Sequence, residues 1–211
     1  MTKRAPTLIM ITGAAPGAGK TTLANGLAAE IDGRHLPAEE LIFERAEFRA
    51  VGDCFRHKVH PGPTLLEDAY GRLVTTIDES RTVVVLDGSF VDLAEDLSWA
   101  MESEPELHAH SRRMRKVLSG IRTVTVFVDA DVTEGIRRRE AQHGRKWFTT
   151  YDTPEPGETW ERSVDRLTSY FTRRLARIRR AFEAADWPLA PVDGNRTKRE
   201  VLEAAVRLCA A

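Results

Sequence analysis

One stretch near the start of the chain constrains it most. Leu8, Ile9, Met10 and Ile11 form an apolar run of the length of a short buried strand. A turn of Gly13, Ala14, Ala15, Pro16, Gly17, Ala18 and Gly19 follows, and then Lys20, Thr21 and Thr22. From there Leu23, Leu27 and Ile31 recur at helical spacing. Strand, glycine-rich turn, Lys-Thr and helix in that order make a cradle for phosphate. Glycines let consecutive backbone N–H groups turn inward around phosphate oxygens, and the helix N-terminus adds a favourable partial charge. In such a cradle Lys20 reaches the β- and γ-phosphates of a nucleotide, and the Thr21 hydroxyl ligates Mg²⁺.

The spacing of these residues resembles the phosphate-binding loop of P-loop NTPases. The strict pattern has glycine at position 14; this chain has Ala14, with Gly13 one step earlier, and the family's pattern accepts alanine there. The resemblance implies nucleotide binding by the whole run from Gly13 to Thr22.

A chain of 211 residues is long enough for one well-buried α/β domain with a small helical insertion, and the expectation is a single domain over residues 1–211. With 31 basic and 32 acidic residues the net charge is −1, which gives no sign of a nucleic-acid or membrane-surface partner. Most of the basic residues are arginine, so the lysine at position 20 is less incidental. Cys54 and Cys209 are too few and too far apart for a disulfide framework or a zinc site. Thr2, Lys3 and Arg4 before an apolar run mimic a secretory signal, but cleavage there would destroy the strand and the loop. No stretch approaches the roughly 18 apolar residues of a membrane span. The expectation is a soluble, cytoplasmic protein; its oligomeric state is not legible.

Further along, Arg34-His35-Leu36-Pro37-Ala38 leads to Glu39 and Glu40, and reads as a short second strand with the two carboxylates at its carboxyl end. Phe43 to Phe55 reads as one helix with Phe43, Phe48, Val51 and Phe55 on its apolar side. Thr64 reads as the N-cap of a helix that carries Leu65, Leu66, Ala69, Tyr70, Leu73 and Ile77 on its buried side. Val83 to Leu86 and Val124 to Val128 are continuous apolar runs ending in Asp87 and Asp129, as strands of a covered parallel sheet do. Residues 91–118 read as one or two helices interrupted near Pro105, and Phe148 to Gly157 as a mobile loop. Trp160, Val164, Leu167, Phe171, Leu175, Ile178 and Phe182 repeat along a long amphipathic helix. A last strand ends at Val192, and Asp193, Gly194 and Asn195 turn into a closing helix. Alternating strands and helices predict a three-layer α/β fold with a mostly parallel sheet.

Phosphoryl transfer needs an acid near Mg²⁺ at the end of a buried strand, and Asp87 fits that position better than Asp129, whose strand feeds an arginine-rich helix. Glu39 and Glu40 sit at the carboxyl end of a strand, where ligands of open parallel sheets gather. The resemblance to small P-loop kinases, many of which carry an acid about 20 residues beyond the lysine, implies that one of the pair accepts the proton of a substrate hydroxyl; Glu39 is preferred. Arg137, Arg138, Arg139, Arg145 and Lys146, before a loop with Pro154, Pro156 and Gly157, read as a closing lid. Three consecutive helical arginines point in different directions, which leaves Arg139 and Arg145 as the choice for the phosphates. The run from Arg173 to Arg180 reads as the solvent face of the long helix, and His57, His60, His108 and His110 as surface residues without the acids or cysteines of a metal site. Aromatics between 43 and 55, with Trp99, are candidates for an acceptor pocket.

Together the loop at 13–22, Asp87-Gly88, the basic lid and Val192-Asp193-Gly194 before a helix resemble the nucleotide and small-molecule kinase branch of P-loop proteins. The segment Arg138-Arg139-Glu140 to Gly144-Arg145 is similar to the lid of chloramphenicol phosphotransferase-like and related nucleoside or sugar kinases. The resemblance implies a five-stranded sheet of order 2-3-1-4-5 and a purine packed near Asp193, Gly194, Asn195 and Arg196. It also implies an acceptor region at about 39–78 and a lid at about 137–157. The expected activity is transfer of the γ-phosphoryl group of ATP, with Mg²⁺ held by Thr21 and Asp87, to a hydroxyl of a small molecule such as a nucleoside, sugar or antibiotic. The alternative is a nucleotide-dependent regulatory ATPase or switch. A GTPase would carry an Asn-Lys-x-Asp motif, which the sequence lacks, and Leu118-Ser119-Gly120 lacks the rest of a transporter ATPase signature.

Overall fold

The computed structural model describes residues 7–13, 16–57, 59, 62–96, 103–150 and 158–210, with the backbone alone at 95, 96, 149 and 150. Ala14, Ala15, His60, Trp99 and the segment 151–157 lie outside the described residues.

Strand β1 (Thr7–Thr12) is buried along its whole length and lies in the middle of the sheet, between β3 (Val83–Asp87) and β4 (Arg122–Asp129). The edges are β2 (Arg34–Leu36) beside β3, and β5 (Ala190–Asp193) beside β4. All four pairings are parallel, and the order is β2-β3-β1-β4-β5, as the resemblance implies. The two-residue period of β1 splits its side chains between two cores. Ile9 and Ile11 face helices α1 (Lys20–Glu30) and α9 (Lys198–Ala210), with Val85, Val126, Val128 and Val192. Leu8 and Met10 face the larger core on the other side, with Leu86 and Phe127. That side is covered by α3 (Arg49–His57), α4 (Gly62–Ser80), α5 (Phe90–Asp96), α6 (Glu104–Val117) and α8 (Trp160–Glu183). A continuous apolar strand is what a sheet covered on both faces requires.

Local signals set the helix starts. Ser103 and Glu106 form a capping box around Pro105, so the proline opens α6. Asp131 caps α7 (Val132–His143) by accepting from the Glu134 N–H at 2.7 Å. Thr197 and Glu200 exchange side-chain and backbone bonds at the start of α9.

Four expectations are corrected. First, the stretch from Phe43 to Phe55 is broken, with α2 (Ala38–Phe43), a 3-10 turn at Ala46–Phe48 and then α3. Arg45 is extended there, and Glu47 accepts from Arg45 at 2.6 Å and from Thr76 of α4 at 2.9 Å. At Gly52 an added Cβ would lie 2.5 Å from the Ile42 carbonyl oxygen, so α3 crosses the end of α2 where only glycine allows it. Second, α4 begins at Gly62, before Thr64. Third, Phe148 belongs to a 3-10 helix, Arg145–Thr150, and is buried with Ile136, Val164, Leu167 and Phe171 in a small core joining α7 to α8. Fourth, two polar residues read as solvated, Arg174 and His110, are buried. Among the described residues no helix is long and apolar enough to cross a membrane.

Candidate active site

The loop that leaves β1 is shaped by backbone contacts. Gly17 has φ +71°, and a Cβ on it would stand 2.3 Å from the Gly135 carbonyl oxygen of α7. Gly13 has φ +136°, and its Cβ would meet the Val128 carbonyl oxygen of β4 at 2.6 Å. Both positions therefore need glycine on two independent grounds. The turn sits wedged between β4 and the first turns of α7.

Gly19 stands at the N-cap of α1 and contributes no side-chain bond, and the first turn of α1 holds no acid. The amide groups there lack the internal partners that Ser103, Asp131 and Thr197 give to α6, α7 and α9. A helix start left in this condition, with Lys20 and Thr21 on it, is a ready anion site. Lys20 Nζ donates to the Gly13 carbonyl and lies 3.8 Å from Asp92 Oδ1. Thr21 Oγ1 donates to Asp87 Oδ2 at 2.5 Å, so the hydroxyl and the acid expected to share a metal are brought together. Pro16 and Gly17 are half-buried, Ala18 is buried, and Thr22 is exposed.

Asp92 was not found from the sequence. Its Oδ2 accepts from Thr12 Oγ1 at 2.7 Å, the Ser89 N–H at 2.9 Å and Ser89 Oγ at 2.5 Å. Ser89 and Asp92 form a capping box for α5, with the Asp92 N–H returning to Ser89 Oγ at 3.2 Å. The signal available was that Ser-x-x-Asp spacing directly after Asp87-Gly88. Arg174 of α8 reaches the Asp92 carbonyl oxygen at 3.4 Å. It falls three residues after Phe171, inside the apolar stripe of α8, which is why it is buried while Arg173 is not.

The lid arginines differ. Arg137 pairs with Glu140 and Glu161, and Arg138 with Glu134 at 3.0 Å. Arg145 donates to Glu140 at 2.7 Å, stacks 5.1 Å over the Trp160 ring and leaves 64 % of its side chain exposed. Burial pushes Glu140 up, but the Arg145 and Arg137 bonds prevail and hold it below the usual carboxylate range. Arg139 lies 4.5 Å over the Trp147 ring, and its buried Nε has no hydrogen-bond partner. Its backbone N is 3.3 Å from where a Gly17 Cβ would stand, so of the two chosen arginines this one is rooted beside the phosphate loop.

At the far side of β1, Gly194 packs so closely that its Cβ would meet Val128 Cγ1 at 2.8 Å and Ala130 Cβ at 2.9 Å. Its N–H donates to the Asp129 carbonyl at 2.8 Å, and Asn195 Oδ1 accepts from the Asp131 N–H at 2.9 Å. The Asn195 N–H, and with it Arg196, hold the Asp193 carboxyl below its ordinary range. The loops after β4 and β5 are thus stitched together around a shallow pocket floored by Pro191 and Val192. Asp129 itself pairs with Arg179 at 2.9 Å.

On the β2 side, Glu39 is exposed in the first turn of α2, and Glu40 is tied to Arg34 at 2.6 Å. Phe48 is buried against Tyr70 with ring centroids 5.0 Å apart and belongs to the core; Phe43 is 44 % exposed. His110 sits against Glu67 at 3.1 Å and is out of reach of solvent. Among the described residues no three His, Cys, Asp or Glu side chains are grouped to hold a metal by themselves.

A five-stranded parallel sheet of order 2-3-1-4-5, with a glycine-rich loop after its central strand, is the P-loop kinase-like α/β fold. The chain is similar to a solved gluconokinase from Sinorhizobium meliloti 1021, with TM-score 0.55, 14 % identity, and 98 % of this chain and 93 % of that one covered. It is similar to the YorR protein from Bacillus subtilis, solved with phosphorylated GDP, with TM-score 0.55, 16 % identity, and 96 % and 95 % covered. A shikimate kinase from Bacteroides thetaiotaomicron gives TM-score 0.53 and 18 % identity over 97 % of each chain. No protein-family model and no curated protein matches the sequence. At these identities the likeness establishes the fold.

Proposed function

We propose that this chain is an ATP-dependent phosphotransferase that moves the γ-phosphoryl group to a hydroxyl of a small molecule. One observation carries the reading: Lys20 and the Thr21–Asp87 pair stand together on a helix start that has no side-chain cap, behind a glycine turn on which the backbone of α7 packs at Gly135 and Arg139. The loop of residues 13–22, through its backbone N–H groups other than at Pro16, holds the phosphates together with Lys20, and the purine lies on the pocket at Asp193, Gly194 and Asn195. Arg139 and Arg145 stabilise the charge that spreads over the transferring group. Glu39, exposed at the carboxyl end of β2, meets the acceptor at the mouth of its site. Residues 39–78 and 137–157 serve as acceptor region and lid of one domain. That two of the similar structures are a gluconokinase and a shikimate kinase, and a third holds phosphorylated GDP, supports the same class.

Mg²⁺ fits the residues present. Thr21 Oγ1 and Asp87 Oδ2 are two oxygen donors beside the phosphate loop, and an ion held mainly by nucleotide phosphates and water needs no larger protein cluster. When bound, the ion neutralises charge on the β- and γ-phosphates. The protein's part is to orient the phosphates and the acceptor and to exclude water.

The test follows ADP formation by the purified chain in ATP and Mg²⁺, with and without a pooled panel of hydroxylated metabolites. Acceptor-dependent ADP formation is expected. Equal rates with and without the panel would favour the regulatory ATPase.

A further inference from the structure

We propose that Asp92 is the carboxylate that receives the acceptor hydroxyl and takes its proton as the phosphoryl group arrives. The inference rests on the kinase reading and names a residue that meets the substrate within that site.

The position comes from topology. β1 carries the phosphate loop, and the purine pocket lies on its β4–β5 side. The acceptor therefore approaches from the β3–β2 side, and Asp92 stands there, in the first turn of the helix that follows β3. Its side chain is 8 % exposed, and Oδ1 lies 3.8 Å from Lys20 Nζ, the group that marks the β- and γ-phosphates.

The two oxygens of Asp92 have different fates. Oδ2 has three donors, from Thr12 and Ser89, and these fix the carboxylate plane. Oδ1 is buried with no hydrogen-bond partner. A helix cap explains Oδ2 and needs nothing from Oδ1. A buried carboxylate oxygen without a donor is costly to keep, and functional sites are where such groups persist. With nucleotide bound, a second anion at this distance from Lys20 would repel the γ-phosphate. It is tolerated where a proton-bearing group lies between the two, and the hydroxyl of an acceptor is such a group. Tyr70 Oη is a second buried polar atom without a partner in the same region. Burial, followed by the charge of Asp92, keeps that phenol protonated, so it offers a hydrogen bond to a neighbouring oxygen of a polyhydroxy acceptor.

In the step, the acceptor oxygen gives its proton to Asp92 Oδ1 and forms the new bond to γ-phosphorus. The bond from γ-phosphorus to the β,γ-bridging oxygen breaks, and its electron pair leaves with ADP. The proton passes from Asp92 to solvent when the product departs. Atoms and charge balance with ATP and an alcohol as the only reactants. Glu39, exposed on α2, holds the outer part of the acceptor.

Asp92→Asn keeps an oxygen for the Ser89 N–H and removes the proton acceptor. The expected result is a fall in kcat for transfer of about 100-fold or more, the scale of a lost general base. The ATP dissociation constant by calorimetry should stay within about three-fold, because Lys20 and the loop amides are intact. Glu39→Gln should raise the acceptor KM more than it lowers kcat. An Asp92→Asn chain whose kcat stays within about three-fold of wild type overturns the inference, and so does an equal loss of ATP affinity and rate. If circular dichroism shows that the Asn variant does not fold, Asp92→Glu decides. It keeps the charge and displaces the oxygen, so about a ten-fold loss of kcat with ATP affinity retained is expected, and an unchanged kcat overturns the inference. No transfer by the wild-type chain overturns this inference together with the kinase reading; transfer by wild type and Asn variant alike overturns this one alone.

Discussion

The two sides of the site are built by different means. On the β4–β5 side, glycine main chain makes the close contacts: Gly17 against the Gly135 carbonyl, Gly13 against the Val128 carbonyl, and Gly194 against the Val128 and Ala130 side chains. On the β2–β3 side, side chains do the work: Glu40 with Arg34, Glu47 with Arg45 and Thr76, and Asp92 with Thr12, Ser89 and Lys20. The phosphates of a nucleotide are the same whatever the acceptor, so amides fixed by close backbone contact suit them. An acceptor is recognised by its particular oxygens, which side chains can match without moving the loop. The contrast explains why the β4–β5 side, where the proposal puts the phosphates, announces itself in a few glycines while the β2–β3 side, where it puts the acceptor, does not.

Lys20, on the start of α1 where the two sides meet, is the position whose loss should cost most. Lys20→Met removes the charge between the β- and γ-phosphates and keeps most of the volume. Turnover should fall roughly 100-fold or more, as for other lost transition-state donors, with the circular dichroism spectrum unchanged. An unchanged kcat would break the comparison at its base, since the loop would then not be holding reacting phosphates.

The lid sharpens it. Arg139 is rooted beside Gly17 and free of carboxylate partners among the described residues, whereas Arg145 is engaged by Glu140 and well exposed. Arg139→Ala should lower kcat by more than it raises the ATP dissociation constant, because its charge matters most in the transition state. Arg145→Ala should do the same to a smaller degree, since Arg145 must first leave Glu140. Steady-state rates beside calorimetric binding read the difference. Equal losses of rate and affinity would make both residues simple nucleotide holders.

The smallest effect concerns the scaffold of the acceptor side. Burial pushes the His110 imidazole below its ordinary value of 6.5, against the pull of Glu67. The unfolded chain therefore binds this proton more readily than the folded one. The stability His110 contributes is fully present above about pH 6.5 and is lost as pH falls through its lowered folded value. Urea melts across that range should show stability declining toward acid, and His110→Gln should flatten the decline. An unaltered slope would mean that other groups set the acid limit.

What was legible follows the same division. The strand, the glycine turn and α1 could be read because an unbroken apolar run, a set of glycines and a period near four lie within a few consecutive residues. The long α8 was legible from Trp160 to Phe182 for the same reason. The break after Phe43 was not, because it depends on Gly52 meeting Ile42 and on Glu47 meeting Thr76 of a later helix. Nor was the burial of Asp92, Arg174 and His110. A charged residue declares itself buried only through partners distant in sequence, such as Thr12 for Asp92, Asp92 for Arg174 and Glu67 for His110. Arg174 could have been caught by its place in the apolar stripe of α8. The arginines at 137–146 stand out in the sequence as a group, and only the packing of α7 on Gly17 sets Arg139 apart from Arg145.

In the proposed reaction the γ-phosphoryl group leaves ATP for a hydroxyl. The most direct measurement supplies ATP carrying an isotopic label in that group, together with Mg²⁺ and the pooled small-molecule fraction of a cell extract, and follows the label by mass spectrometry. The account predicts the label in an organic phosphate ester, formed by the wild-type chain and absent with Lys20→Met. Label recovered only as inorganic phosphate, at the same rate with and without the extract, would contradict it.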